Sequence, residues 1–204
     1  MPRRRRQFFP GLSVHLIHRG VNRTAIFGDD VDREMFLLWL RSAMAGHAIP
    51  VHVVTLMTNH YHAIVTPRSE SALPCAMRQL GVRYVQHFNR KYDRIGTLWA
   101  GRPREIPIGD EKYFLTCLRY IEMNPVRAQI VRDPADYRWS SYRAHALGDG
   151  WDWLVEHVVY TSLGETAAER QAAYRALCNQ PLGEAELIRH RFAREDRPGT
   201  YLSR

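Results

Sequence analysis

Cysteine is scarce in this chain and lysine almost missing: Cys75, Cys117 and Cys178 are its only thiols, Lys91 and Lys112 its only ammonium side chains. The thiols lie far apart with no CxxC spacing, which argues against a disulfide framework and a thiolate zinc site and fits a reducing, cytoplasmic location. No run of about 20 apolar residues occurs, so no membrane span is expected. The start, Met1-Pro2-Arg3-Arg4-Arg5-Arg6, is basic, but Pro10, His15, His18 and Arg19 follow, and no signal-peptide core fits there. Internal repeats are lacking, as is any low-complexity tract beyond that arginine run.

What is present points elsewhere. At 204 residues the chain has room for one domain of ordinary size plus an appendage, and 45% hydrophobic residues are enough for a packed core. The formal charge of +8 is almost wholly arginine. Guanidinium groups give phosphates bidentate partners and bases a flat surface to stack on, so a nucleic acid is the expected partner class, although charge alone also fits a ribosomal or membrane surface.

The apolar periodicity changes along the chain. Leu12 to His18 alternates like a strand, and a turn-rich Arg19–Arg23 follows. Asp30 to His47 carries a helical stripe of Met35, Phe36, Leu38, Trp39, Leu40 and Met44, with acids in the first turn. Ile49 to Val65 reads as a strand pair turning near Met57-Thr58-Asn59, and Ser71 to Tyr92 as a second helix. Thr97 to Ile108 is Gly- and Pro-punctuated and strand-like at its ends. A third helix over Asp110–Asn124 stops at Pro125, which suits the first turn of a new short helix. This order predicts an α+β, ferredoxin-like sandwich with a central antiparallel sheet. Gly148-Asp149-Gly150 marks a boundary, giving a main domain over 1–147 and an extension over 148–204. The extension has helical stretches over Glu165–Cys178 and Glu184–Ala193.

His60-Tyr61-His62 is the most informative motif. On a strand His60 and His62 project from one side and Tyr61 from the other, so two imidazoles about 6–7 Å apart at the backbone can converge on one cation. The alternative is a pair of surface or hydrogen-bonded imidazoles; on an apolar face two unpartnered ones are costly and need a cation, a carboxylate or a carbonyl. In the third helix, Tyr120 and Asn124 are four residues apart and share a face. A phenol with its usual pKa near 10 needs electrostatic help to attack a phosphate, which a metal held by two imidazoles and an amide oxygen would supply. Equally, Tyr120 fits a core aromatic and Asn124 a helix C-cap.

Four blocks in order resemble the HUH-type single-tyrosine transposases, most closely the REP-associated tyrosine transposases. Leu56-Met57-Thr58-Asn59-His60-Tyr61-His62 is similar to their Met-Pro-Asn-His-x-His block, with Thr58 in place of the usual proline. Arg119-Tyr120-Ile121-Glu122-Met123-Asn124-Pro125-Val126-Arg127-Ala128 is similar to their Tyr-Ile-x-x-Asn-Pro-Val-Arg-Ala block. His15 to Phe27, and Phe88–Tyr92 with Gly96–Trp99, also match. The resemblance spans about residues 3 to 145. It implies a nuclease and strand-transferase acting on single-stranded DNA with hairpins or palindromic repeats. Tyr120 is then the nucleophile that forms a 5′-phosphotyrosine, and His60, His62 and Asn124 are the ligands of Mg²⁺ or Mn²⁺. Either a monomer or a homodimer is compatible.

Arg90, Arg94, Arg102 and Arg104, near Tyr92 and Trp99, are candidates for DNA contacts, as are Arg127 and the arm Arg3, Arg4, Arg5 and Arg6. Glu122 lies roughly opposite Tyr120 on its helix and is a poor candidate for a general base. Rival readings are a non-catalytic hairpin binder or repressor on the same fold, a hydrolase of small phosphoesters, and a phosphodiesterase with paired His-x-Thr/Ser motifs. The last would need a second such pair, which the sequence does not offer.

Overall fold

The structure is a computed structural model that describes residues 10–181. Four strands, β1 (Val14–Arg19), β2 (Val51–Leu56), β3 (His60–Val65) and β4 (Arg104–Pro107), form one sheet in the order β2-β3-β1-β4. Every neighbouring pair is antiparallel. With helices α1 (Asp30–Gly46) and α2 (Ala72–Lys91) between the strands, this is the expected ferredoxin-like α+β arrangement. The remaining helices are α3 (Glu111–Glu122), α4 (Asn124–Arg127), α5 (Tyr142–Leu147), α6 (Val158–Thr161) and α7 (Ala167–Cys178). The stretch Glu184–Ala193 and the arm Arg3–Arg6 lie outside the described residues.

Strand alternation divides the sheet into two faces. Leu16, Val54, Leu56, Tyr61, Ala63 and Val65 pack with Phe36 and Leu40 of α1 and with Leu73, Ala76, Leu80, Tyr84 and Phe88 of α2. Those helix positions recur every three or four residues, so one stripe of each helix is buried. Val53 and Ile64 pack on the other face with Phe114, Cys117, Leu118 and Ile121 of α3. Tyr160 of α6 and Tyr174 and Cys178 of α7 belong to the same apolar cluster, so α6 and α7 pack around α3.

Local chemistry sets the element ends. Asp29 caps α1 by accepting the Asp32 N–H at 3.0 Å. The buried Asp32 carboxylate accepts in turn from Gly28 N–H (2.7 Å), Lys91 Nζ (2.9 Å) and the Tyr92 hydroxyl (2.7 Å), which ties the start of α1 to the end of α2. Burial raises that carboxyl's pKa, but the donors outweigh it and hold the group below the usual carboxylate range. Thr166 and Glu169 form a reciprocal capping box at the start of α7. β4 is shorter than its sequence pattern predicts. Residues 97–101 instead form a strap, with Val21 N–H donating to the Leu98 carbonyl and Ala100 N–H to the Arg19 carbonyl, each at 2.9 Å.

Two buried histidines are held neutral. His18 stacks on Trp99 with ring centroids 4.1 Å apart and donates Nε2–H to the Gly101 carbonyl at 3.0 Å. His52 donates Nδ1–H to the Val155 carbonyl at 2.7 Å, and its Nε2 meets Thr66 Oγ1 at 2.8 Å. Burial pushes both rings down to about 4, the carbonyls opposing it only partly. A lowered folded-state pKa means that the unfolded chain takes up protons first on acidification. Stability is therefore lost as pH falls from about 6.5 towards 4, by up to about 3 kcal/mol per ring. Urea unfolding at pH 7, 5.5 and 4.5 should show this fall, and replacing His52 with Gln should remove the His52 share while that of His18 remains; a level wild-type profile would contradict it.

Candidate active site

The β2–β3 turn is closed from within and anchored from outside: Met57 N–H donates to the His60 carbonyl at 2.8 Å, while Ile26 N–H donates to the Thr58 carbonyl at 3.0 Å and Gly20 N–H to the Asn59 carbonyl at 2.9 Å. The Asn59 side chain has a fixed orientation: its Nδ2 donates to the Arg23 carbonyl at 3.1 Å, so its Oδ1 accepts from His60 Nδ1–H at 2.7 Å. The contact places a proton on His60 Nδ1, so in the neutral ring Nε2 is the atom with the lone pair. His60 opens β3 and is half-buried, while His62 is buried. Their rings are 4.9 Å apart and nearly perpendicular. His62 Nδ1 lies 2.9 Å from His15 Nε2.

The α3 helix crosses this same face. Tyr120 is only 3% exposed, and its ring stands edge-on to His62 at 6.1 Å. The guanidinium of Arg127, one turn into α4, lies 4.5 Å above the Tyr120 ring. Asn124 is the first residue of α4, is buried, and leaves its amide Nδ2 without a hydrogen-bond partner among the described residues. A buried amide with one unsatisfied end is costly unless something binds there. With the amide turned over, its carbonyl oxygen would stand at that point. Of the residues singled out in the sequence, the fold brings the Tyr120, His60, His62 and Arg127 side chains within a few ångströms of their neighbours, and Asn124 follows one helical turn on.

Glu122 faces away from this group. Its carboxylate is fully buried and accepts from Ser141 Oγ–H, from His145 Nδ1 at 2.8 Å and from the Tyr174 hydroxyl at 2.6 Å. It is committed to joining α3, α5 and α7.

Arg104 stands on edge strand β4, exposed, and pairs with Ile17, which pairs with His62. Directly opposed residues share a face, so Arg104 projects on the side of the histidines. Arg90 and Arg102 are exposed, and Arg94 is half-buried with its guanidinium 5.4 Å over the Phe88 ring. Three neighbours escaped the sequence reading: Asn59, His15 and Arg19, the register partner of His60. Period-two alternation of His15, Ile17 and Arg19 was the available signal, but it carries no information about which strand lies beside β3.

Donor chemistry fits a hard divalent ion with open positions: two imidazoles and one amide oxygen leave room for water and phosphate oxygens. Among the described residues no group of three or more His, Cys, Asp or Glu could hold a metal. A site on His60 and His62 would therefore take its third donor from another residue type, and the Asn124 amide is one candidate.

The model of the family described as "Transposase IS200 like" matches residues 9–124, more than half the chain. The chain belongs to the IS200-like transposase family. A DNA-processing, transposase-like role follows for this family member. A REP-associated tyrosine transposase bound to a REP hairpin is similar in structure, with TM-score 0.59 and 18% identity over 78% of this chain and 93% of that one. At that identity the likeness concerns the fold. Weaker likenesses are to a putative transposase from Deinococcus radiodurans (TM-score 0.41, 16% identity, 63% and 92% of the two chains). The other is tRNA(His) guanylyltransferase from Saccharomyces cerevisiae (TM-score 0.45, 12% identity, 85% and 82%). No curated protein matches the sequence. No helix among the described residues is long and apolar enough to cross a membrane.

Proposed function

We propose that this family member is a metal-dependent endonuclease and strand-transferase for single-stranded DNA that carries hairpins or palindromic repeats. The observation that carries the reading is the Tyr120 ring set 6.1 Å from His62 within one chain. Tyr120 and the histidines meet without a second subunit, which favours a monomer as the working unit. The solved relative's REP hairpin supports hairpin DNA as the substrate class.

In the proposed reaction the Tyr120 oxygen attacks a backbone phosphorus, and the bond from phosphorus to the 3′ oxygen breaks. The phenol proton leaves, the 3′ oxygen departs as a hydroxyl after protonation, and the 5′ side remains as a phosphotyrosine ester. A DNA hydroxyl later attacks that ester and restores Tyr120. His60, His62 and Asn124 would hold Mg²⁺ or Mn²⁺, which supplies Lewis-acid polarisation of the phosphate. Asn59 fixes the His60 tautomer so that Nε2 is the donor atom, and His15 sits where it would accept the Nδ1 proton of His62, the usual outer contact of a ligating imidazole. Arg127 and Arg104 offset phosphate charge on either side, and the other arginines track the strand.

Incubation of a hairpin oligonucleotide with the protein and Mn²⁺ should give a covalent adduct on a denaturing gel. His60→Ala and His62→Ala should each lower adduct formation by at least about 10²-fold and remove its response to added metal. Retention of both by either variant refutes the metal assignment.

A further inference from the structure

We propose that Ile95 is a wedge that stacks on the open base face at the foot of a DNA hairpin, a reading that deepens the function proposed above and rests on it. Ile95 is 99% exposed. A lone exposed aliphatic side chain is ordinary on a protein surface. What sets this one apart is the bracing beneath it. Asp93 and Gly96 take positive φ values of 48° and 94°, turning the chain tightly on both sides of Arg94-Ile95. Arg94 N–H donates to the Asn89 carbonyl at 2.9 Å, and the Asn89 side-chain amide donates to the Gly96 carbonyl at 2.9 Å. The Arg94 guanidinium rests over Phe88. The apolar tip is thus mounted rigidly on the last turn of α2, and binding need not order a loose loop.

Its surroundings name the partner. Arg90 and Arg102, both exposed, flank the turn in sequence and supply phosphate contacts. Beyond Gly96 the chain becomes the strap that bonds to Arg19 and bridges Gly20 through Trp99. Arg19 is the register partner of His60, so the turn is anchored at the end of the sheet that carries the histidine pair. Aliphatic wedges act on DNA by occupying a base step. Within a duplex that requires unstacking, whereas at the junction of duplex and single strand one base face is already open. Ile95 fits the junction. Seated there it holds the duplex foot while the single strand runs on towards Tyr120.

The test compares two oligonucleotides on the full chain: a hairpin with 2-aminopurine at the unpaired position beside the duplex foot, and an unstructured strand of equal length. Ile95→Ser should weaken hairpin binding by about tenfold, abolish the 2-aminopurine response and leave the unstructured strand within about twofold. Ile95→Phe should preserve hairpin binding and the response. The salt dependence of hairpin affinity should stay unchanged in both variants, because no phosphate contact is removed. Equal hairpin affinity for Ile95→Ser and the wild type, or equal losses on the two strands, overturns the wedge. If the wild type still forms its Tyr120 adduct in that case, the wedge alone falls. A wild type that neither binds the hairpin nor forms the adduct removes the proposed function and the wedge together.

Discussion

Tyr120→Phe is expected to eliminate the covalent protein–DNA adduct, a loss of at least about 10³-fold, while hairpin affinity stays within about twofold. The substitution removes one oxygen and keeps the ring, so the Arg127 guanidinium above it and the edge contact with His62 both survive. The ring is almost wholly buried, so a smaller residue would open a cavity and confuse chemistry with packing. Phenylalanine avoids that ambiguity. Mass spectrometry of the DNA-linked peptide from the wild type identifies the nucleophile independently. An adduct that persists in the Phe variant, or a linked peptide containing another tyrosine, would exclude Tyr120. Intact binding with no adduct in either protein would instead favour the non-catalytic hairpin binder.

The largest effect on stability is expected from Glu122→Ala. This carboxylate holds three donors: Ser141, just before α5, His145 of α5 and Tyr174 of α7. The Ser141 hydroxyl also accepts the Val54 N–H of β2 at 3.0 Å. Removing the acceptor strands a buried imidazole, a phenol and a hydroxyl together. Breaking such a buried pair costs about 3–5 kcal/mol, a fall in melting temperature on the order of 10 °C for a chain of this size. The pH dependence distinguishes charge from packing. Burial lowers the His145 pKa, but the charge and hydrogen bond of Glu122 outweigh it and leave the ring raised. A raised folded-state pKa contributes stability that is complete below about pH 6.5 and fades as pH climbs through the folded value. Glu122→Gln should keep most hydrogen bonds and lose that pH-dependent contribution. Should Glu122→Ala melt within about 2 °C of the wild type, the carboxylate does not hold the three helices together.

Much of the architecture was legible because its signals are local. Strand alternation around His60 and His62, the buried stripe of α2 and the proline break after Asn124 each act over a few residues. The ferredoxin-like class followed from the succession of elements. What stayed hidden depends on partners distant in sequence. The contact between His15 and His62, and the row Arg104–Ile17–His62, depend on register, which no single strand encodes. The α5 helix has six residues, too few to display a helical period, and it ends on Gly148 at φ 71°. Glu122 reads in sequence as an ordinary helical acid; only the folding of α5 and α7 against it reveals its work.

That work binds α7 to the helix that carries Tyr120. The phenol that fills one side of Glu122 comes from Tyr174, whereas Tyr120 lies two residues before Glu122 on α3. Without Tyr174 the acid would keep only Ser141 and His145 and turn one oxygen to an apolar interior, so α7 clamps the helix that carries Tyr120 from the same side of the sheet.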